Sequence, residues 1–258
     1  MPNASKTLQQ KALSIHIFAD GFSFCSPDQI DYITTPNGTE DFKPAFEEFF
    51  AYHKEKSFGE LKIINFQHAS TFVPTALFDE NNKARYLNLF QISIPKSQIE
   101  FEKLEPDQLV NVFPVSTLLY SIINNTGLPF SLSHYNTHLF KWIQDYRIDH
   151  PNEKELFIHL QKDVLDVFLF LNDTFVFSNR FTVKNTDEFL YYVFFIAEQF
   201  DLKSDEFKMI FLGHFKPFQN YYDAAKNYHS TLIFSDVKPL KENFQNLHPA
   251  PFFISLFS

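Results

Sequence analysis

The sequence predicts an α/β protein of two similar lobes, because one pattern of elements occurs twice along the 258 residues. Residues 13–17 (Leu-Ser-Ile-His-Ile) and residues 156–160 (Leu-Phe-Ile-His-Leu) open two units that each read strand–turn–strand–helix–strand. Alternating β-favouring residues indicate the strands, and clusters of Asn, Asp and Gly indicate the turns. A hydrophobic content of 45% is enough to fill the cores of two compact lobes.

The first unit begins with a β-hairpin whose turn is Ala19-Asp20-Gly21, between strands at 13–18 and 22–25. A third strand at 32–34 and a turn at Asn37-Gly38 lead to a helix capped by Thr39. The helix carries apolar residues at helical spacing, which predicts one buried face: Phe42, Phe46, Phe49 and Phe50. Gly59 ends this segment, and residues 61–66 are expected to form a buried strand.

The second unit contains predicted strands at 157–160, 164–171 and 174–183, with a turn at Asn172-Asp173. Asn185 or Thr186 caps a helix that runs to about Phe200, followed by a strand at 207–212 that ends at Gly213. Apolar residues lie around most of this helix, so we expect it to be buried more deeply than the helix of the first unit.

The segment between the units predicts strands at 86–94, 107–113 and 128–132, and helices after Pro114 and over 134–146. Residues 150–154 resemble a linker, so we place a first lobe with an inserted subdomain at 1–150 and a second lobe at 151–258. After the second unit we expect a helix at 218–227, a strand at 231–234 and an apolar end, 252–257, that packs onto the body.

Composition excludes several classes of function. The net charge of −9 and the absence of a long Lys/Arg run argue against nucleic-acid binding. Cys25 stands alone, so no intrachain disulfide is expected. The densest apolar run, 189–197, is too short to cross a membrane, and the polar start does not resemble a signal peptide. These features predict a soluble cytoplasmic protein. The 35 phenylalanines fit either codon bias in an AT-rich genome or an exposed aromatic surface for a partner.

Isolated reactive residues do not form a recognisable catalytic set. His134 and His138 are spaced to share a metal ion on one helix face, but chance is the simpler explanation in a chain with ten histidines. Cys25 reads as a buried strand residue more readily than as a reactive thiolate. The acidic stretch 100–107 reads as a solvated face, with a metal site as the alternative. His16 and His159 occupy equivalent places in the two units, either as strand histidines or as a shared ligand-facing pair.

Three short segments carry a family resemblance: residues 14–24, residues 71–78 and residues 111–115 (Asn-Val-Phe-Pro-Val). The sequence resembles the DUF3822 family, which is found chiefly in Bacteroidetes and is similar in fold to actin-like ATPases. The resemblance implies a duplicated actin-like ATPase, or ribonuclease-H-like, fold of two lobes. It implies no reaction, because none is assigned to the family.

Actin-like ATPases use an Asp-x-Gly turn after the first strand of each lobe, and a Gly-Gly pair after a late strand. The glycines let backbone amides approach phosphates, and the aspartate organises Mg²⁺. This chain retains those features only in part, and the resulting weak cleft candidates are Asp20, Gly21, Asp163 and Gly213. The first turn is one residue short, the second, Lys162-Asp163, has no glycine, and the late motif keeps one glycine of two.

These departures predict a non-catalytic binding or scaffold protein with an unknown protein partner and no cofactor. The alternative is a nucleotide-binding or ATPase protein that takes Mg-ATP in the cleft between the lobes. A complete Gly-x-Ser-x-Gly, Walker A or Gly-x-Gly-x-x-Gly motif is absent from the sequence, so no other enzyme class is favoured.

Overall fold

A computed structural model of the chain describes residues 11–26, 29–36, 39–53, 58–88, 99–213 and 215–235. The first half contains, in order, β1 Lys11–Phe18, β2 Gly21–Ser26, β3 Gln29–Thr34, α1 Thr39–His53, β4 Phe58–Asn65, β5 Thr71–Pro74, α2 Ala84–Leu87, β6 Ile99–Leu104, β7 Leu109–Pro114, α3 Thr117–Asn124, β8 Phe130–His134 and α4 Tyr135–Ile148. The second half contains β9 Lys154–Gln161, β10 Val164–Leu171, β11 Thr174–Thr182, α5 Thr186–Gln199, β12 Lys208–Leu212, α6 Gln219–Lys226 and β13 Leu232–Phe234.

Two five-stranded sheets have the same strand order and directions, which confirms the duplicated architecture. The first sheet is ordered β3-β2-β1-β4-β8 and the second β11-β10-β9-β12-β13. In each sheet the first three strands are antiparallel neighbours and the remaining pairs are parallel. One backbone hydrogen bond is also repeated: the Asp20 carbonyl accepts from the Thr35 N–H, and the Asp163 carbonyl accepts from the Val183 N–H, both at 2.9 Å.

A smaller three-stranded sheet, β5-β7-β6, is inserted between β4 and β8 of the first lobe. It has its own small core, formed by Val73, Leu87, Ile99, Val110 and Val112. The sequence analysis interpreted residues 100–107, which include most of β6, as a solvated acidic face. This prediction is wrong for the residues of β6. β6 is a half-buried strand with Ile99 and Leu104 at its buried ends, and its acidic residues lie between them.

The hydrophobic cores show how the lobes are joined. Each lobe has a core between its sheet and its helices, the first with α1 and α3 and the second with α5 and α6. A further cluster contains residues from both lobes, in which Leu139, Phe140 and Ile143 of α4 pack with Phe157 and Phe168 of the second sheet. Helix α4 therefore belongs to the first lobe by sequence and is buried against the second.

Several sequence expectations are confirmed and a few are corrected. The hairpins, the Asn185 cap and the bounds of β10 are as expected. The strand expected at 86–94 is wrong in its described part, because residues 84–87 are helical. Helix α5 is buried more deeply than α1, as expected, although the side chains of Tyr191 and Phe195 are exposed. Residues 37–38 and the apolar end 252–257 lie outside the described residues.

The lobe boundary at residue 150 stays a prediction, because the chain path alone does not define separate domains. Among the described helices, none combines the length and apolar character needed to cross a membrane.

Candidate functional site: the cleft between the lobes

The two hairpin turns that face each other across the lobes are bridged by an ion pair. The Lys162 ammonium, in the β9–β10 turn, lies 3.3 Å from the Asp20 carboxylate in the β1–β2 turn. The sequence analysis named both turns, and the structure brings them together. The contact therefore joins the two turns that the family resemblance identifies as cleft candidates.

The backbone structure accounts for the two retained glycines, Gly21 and Gly213. A Cβ atom added to Gly21 would lie 2.1 Å from the carbonyl oxygen of Ile33 on β3, so the sheet itself requires glycine there. Gly213 follows β12 and has φ of 101°, a left-handed conformation that favours glycine. Because Leu212 pairs with His159, Gly213 lies beside the end of β9, two residues before the second turn.

The second turn forms without glycine. Neither Lys162 nor Asp163 is among the described non-glycine residues with positive φ, so the two-residue turn closes with ordinary side chains. A side chain at these positions still extends into the cleft, and Lys162 does so. The cleft candidates Asp20 and Asp163 thus occupy equivalent turn positions, and Asp20 contacts the opposite lobe through Lys162.

A cavity of about 80 Å³ lies next to the first turn. Its lining includes Phe18, Thr35, Gln67 and Ser116. Pockets for small organic ligands have volumes of roughly 300–1,000 Å³, so this cavity is small for a nucleotide. A larger cavity, about 350 Å³, lies at the opposite ends of β9 and β12, and its charged residues pair with each other, as Lys154 does with Glu206 at 3.1 Å.

Below the turns, a buried ion pair occupies the space between the lobes. Arg180 of β11 donates to both carboxylate oxygens of Asp166 on β10, at 2.7 and 3.2 Å. The same guanidinium donates to the carbonyl of Phe66 in the first lobe at 3.1 Å. Burial acts to raise the pKa of Asp166, but the Arg180 charge and the hydrogen bonds outweigh it and hold the pKa below its usual range. The carboxylate is therefore ionised and is used to hold Arg180.

Tyr135, the first residue of α4, completes this cluster from the first lobe. Its hydroxyl donates to Asp166 and accepts from the Gln161 amide at 2.7 Å, while its ring stacks on Phe66 at 4.5 Å. His159 lies 3.3 Å from the same hydroxyl. Burial, followed by the Asp166 charge, raises the pKa of Tyr135. These side chains are almost wholly inaccessible to solvent, so their chemistry is to bind the two lobes to each other.

A second buried ion pair crosses the segment where the sequence predicts the lobe boundary. Arg147 near the end of α4 binds Glu155 at the start of β9, and the side chains are 5% and 0% exposed. The guanidinium also lies over the Phe170 ring, 4.5 Å from its centroid, and donates to the Asn172 carbonyl. The two lobes are therefore joined by charged contacts at both ends of the α4 interface.

The isolated candidates from the sequence take structural roles. His134 is the N-cap of α4, accepting from the Asn136 N–H at 3.1 Å, whereas His138 bonds Ser133 at 2.7 Å. The two histidines therefore have different partners, and no cluster of three or more metal-ligating side chains occurs among the described residues. Burial raises the pKa of the Cys25 thiol, which is inert in its strand. Of the acidic stretch, Glu102 accepts from the His134 N–H and the Thr137 hydroxyl.

His16 and His159 are both buried in equivalent strands, as the repeat predicts. His16 lies 3.1 Å from the Ser14 hydroxyl, and His159 borders the Asp166 cluster. Their surroundings differ, so a shared ligand-facing role has no support from their contacts.

Sequence reasoning missed the Asp166–Arg180 cluster, although one signal for it was present. Asp166 interrupts an otherwise apolar strand, Val-Leu-Asp-Val-Phe-Leu-Phe-Leu, and a charged residue in a buried strand requires a partner. Which residue supplies that partner depends on the pairing of β10 with β11, which places Arg180 opposite Asp166. Tyr135 gave no local signal because its role depends on contact between the lobes.

Comparison with known proteins places this site in a family. Residues 2–232 match the sequence model of the family described as "Protein of unknown function (DUF3822)", and the chain belongs to this family. A Bacteroides thetaiotaomicron protein of actin-like ATPase fold and unknown function is similar in structure, with a TM-score of 0.72 and 18% identity over 91% of this chain and 94% of that one.

A more distant similarity is to a structure of the PilM–PilN type IV pilus biogenesis complex, with a TM-score of 0.58 and 12% identity over 96% of this chain and 97% of that one. At these identities the structural similarity establishes the actin-like fold alone. No curated protein matches the sequence.

Proposed function

We propose that this protein is a non-catalytic, cytoplasmic binding or scaffold protein that holds a protein partner on a degenerate actin-like fold. The observation that carries the proposal is the Lys162–Asp20 ion pair between the two turns. In a working ATPase this space receives the phosphates and Mg²⁺, and here the opposed turns neutralise each other's charge.

The buried contacts below the turns support the same conclusion. ATPases of this fold class depend on a cleft that opens to exchange nucleotide, and opening would separate Arg180 from the Phe66 carbonyl. Arg180 keeps its ion pair with Asp166 on opening, so the cost is that of the hydrogen bond lost across the interface, about 1.5–3 kcal/mol for a bond to a charged group. The cluster therefore favours a closed arrangement of the lobes in which the outer surfaces, rather than the cleft, are available for binding.

The structural similarity to PilM gives the proposal a precedent at the level of fold. That protein is seen in a complex with PilN. Exposed sheet edges and apolar patches are the features on which an actin-like scaffold of this kind can hold a partner.

A nucleotide-binding function in the cleft is the second candidate, because Asp20, Asp163 and Gly213 keep positions that such a site uses. In that case the Lys162 ammonium would leave Asp20 and pair with a phosphate. Lysine is a common phosphate ligand, so this exchange is chemically reasonable.

The proposed function is tested by purifying the tagged full-length protein from the cytoplasm of its native host and analysing what co-purifies. We expect a protein partner in stoichiometric amount, retained after a wash with EDTA and apyrase. Recovery of no such partner, together with a metabolite bound in the cleft, would refute the scaffold function in favour of small-molecule binding.

A further inference from the structure

The outer surface of α5 carries two large aromatic side chains that face solvent. Tyr191 is 61% exposed and Phe195 is 41% exposed, and their rings stack on each other with centroids 5.8 Å apart. They lie one helical turn apart, at positions i and i+4. We refer to Tyr191 and Phe195 together as the α5 aromatic face.

The repeat within the chain provides an internal standard for this face. Helix α1 occupies the equivalent position in the first lobe, and its buried residues align with those of α5 at a constant offset of 147 (189 − 42 = 147). The aligned buried pairs are Phe42 with Phe189, Phe46 with Val193 and Phe50 with Ala197.

The same offset pairs Tyr191 with Pro44 and Phe195 with Glu48, both of which are exposed on α1. The first lobe thus has a proline and a glutamate where the second lobe has two stacked aromatic rings. At these two aligned positions the fold requires no aromatic residue, as Pro44 and Glu48 show, although α1 exposes Tyr52 near its C-terminal end. The fold therefore does not explain the α5 aromatic face, and binding to another surface does.

The charges around the α5 aromatic face are mainly acidic. Asp187 is one turn before Tyr191 and Glu198 is one turn after Phe195, and both are exposed. Glu188 is engaged in the helix cap, where its carboxylate accepts from the Lys184 N–H at 2.8 Å. Lys184 is the nearest basic residue in sequence and precedes the helix. A complementary surface would present apolar side chains flanked by lysine or arginine, with cation–π contact to Tyr191.

From these contacts we infer that the α5 aromatic face is the docking surface for a segment of a partner protein that is apolar at its centre and basic at its ends. The inference rests on the proposed partner-binding function. A second copy of this chain fits less well, because antiparallel contact of two α5 helices would place Asp187 of one copy near Glu198 of the other. The apolar segment 252–257 of this chain has no positive charge to complement those carboxylates.

The test measures binding of two synthetic amphipathic helical peptides to the full-length protein by fluorescence anisotropy. One peptide combines leucine with lysine, and the other has the same leucine pattern with glutamate. We expect the lysine peptide to bind and the glutamate peptide to bind at least tenfold more weakly. Changing Tyr191→Ser together with Phe195→Ser should weaken binding of the lysine peptide at least tenfold, and Asp187→Asn with Glu198→Gln should weaken it several-fold and reduce its salt dependence.

The matched control is Glu47→Gln with Glu48→Gln on α1, which removes two exposed charges from the equivalent helix and should leave binding unchanged. If the Tyr191→Ser, Phe195→Ser variant binds the lysine peptide as tightly as the control variant does, the inference is overturned. Thermal melting confirms that each variant is folded, and we expect little change because the two rings are exposed.

Two further results would overturn the choice of occupant. If deletion of residues 236–258 increases the affinity for the lysine peptide tenfold, the end of this chain covers the α5 aromatic face. If sedimentation velocity shows that the wild type is a dimer and that the Tyr191→Ser, Phe195→Ser variant is a monomer, the α5 aromatic face binds a second copy of this chain.

The failure of this inference can be told apart from failure of the proposed function. If the native partner is recovered in stoichiometric amount by wild type and by the Tyr191→Ser, Phe195→Ser variant alike, the function stands and the surface is wrong. If no partner is recovered with either protein and a metabolite occupies the cleft, the function itself fails.

Discussion

The buried ion pair between Asp166 and Arg180 should be a large single contributor to the stability of the closed lobes. The Asp166 side chain is 1% exposed and that of Arg180 is 11% exposed, so Asp166→Asn leaves a guanidinium charge in the interior without its counter-ion. Removing one partner of a buried pair costs about 3–5 kcal/mol, a large share of the roughly 5–15 kcal/mol that stabilises a folded protein.

A double-mutant cycle separates the pair from its surroundings. Arg180→Met alone should also destabilise, whereas the double variant carries neither charge and should be more stable than the sum of the single effects by about 1–3 kcal/mol. The free energy of unfolding is measured by urea denaturation, followed by fluorescence of the single tryptophan, Trp142, which is packed in the cluster between the lobes. The control is Glu206→Gln, which breaks solvent-accessible pairs with Lys154 and Lys203 and should destabilise much less than Asp166→Asn.

The pH dependence of the same variants provides a second test of the reasoning. In the wild type the pKa of Asp166 is lowered, so its stabilising effect is present above the unfolded value of about 4 and is lost as the pH falls further. In Arg180→Met, burial without a cation raises the pKa of Asp166. The loss of unfolding free energy that this substitution causes should therefore shrink as the pH falls below 7, because Asp166 becomes protonated and neutral. A loss of less than about 1 kcal/mol for Asp166→Asn would refute the claim that this pair is a buried, stabilising contact of the second lobe.

Two other predictions concern single positions. Gly21→Ala should lower the free energy of unfolding by about 1–3 kcal/mol, because its Cβ would meet the Ile33 carbonyl, and urea titration measures the loss. Gly127→Ala separates the two possible causes of such a loss, because its new Cβ meets nothing within 4 Å but its φ of 67° should cost about 1–2 kcal/mol in backbone strain alone. Burial, followed by the charges of two nearby lysines, lowers the pKa of His138 to about 4, so the wild type should lose stability as the pH falls from about 6.5 towards 4, when the unfolded chain takes up a proton. His138→Gln should reduce that loss in denaturant titrations at pH 7, 6, 5 and 4, and an unchanged slope would show that His138 is not buried as a neutral ring.

The fold could largely be predicted from the sequence because its signals are local. Alternation indicated the hairpin strands, and the Asn185 cap, which accepts from the Glu188 N–H at 2.9 Å, fixed the start of α5. The error at Tyr86 and Leu87 had a local cause, since these two residues lie in a short helix that packs on the inserted sheet. Strand β6 was missed because its three charged residues favoured a solvated face, whereas only Ile99 and Leu104 at its ends are buried.

The site could be predicted only in part because it depends on how the lobes meet. Sequence identified the two turns but not the contact of Lys162 with Asp20, which joins residues 142 apart in the chain. The burial of Tyr135 and Arg180 likewise follows from packing of α4 against the second sheet. The apolar pattern of α5 predicted its deep burial but not the exposure of Tyr191 and Phe195, because periodicity shows that a residue is apolar but not whether a neighbouring element covers it.

The central claim is that the cleft between the lobes is not a working nucleotide site, and a thermal-shift titration with Mg-ATP tests it most directly. A ligand at 100 times its dissociation constant stabilises a protein by about 2.7 kcal/mol, which for a chain of this size raises Tm by about 5–10 °C. We predict no such rise at millimolar Mg-ATP, in the wild type or in Lys162→Ala. A rise of that size in the wild type that disappears in Asp20→Ala would contradict the claim and establish the cleft as a nucleotide site.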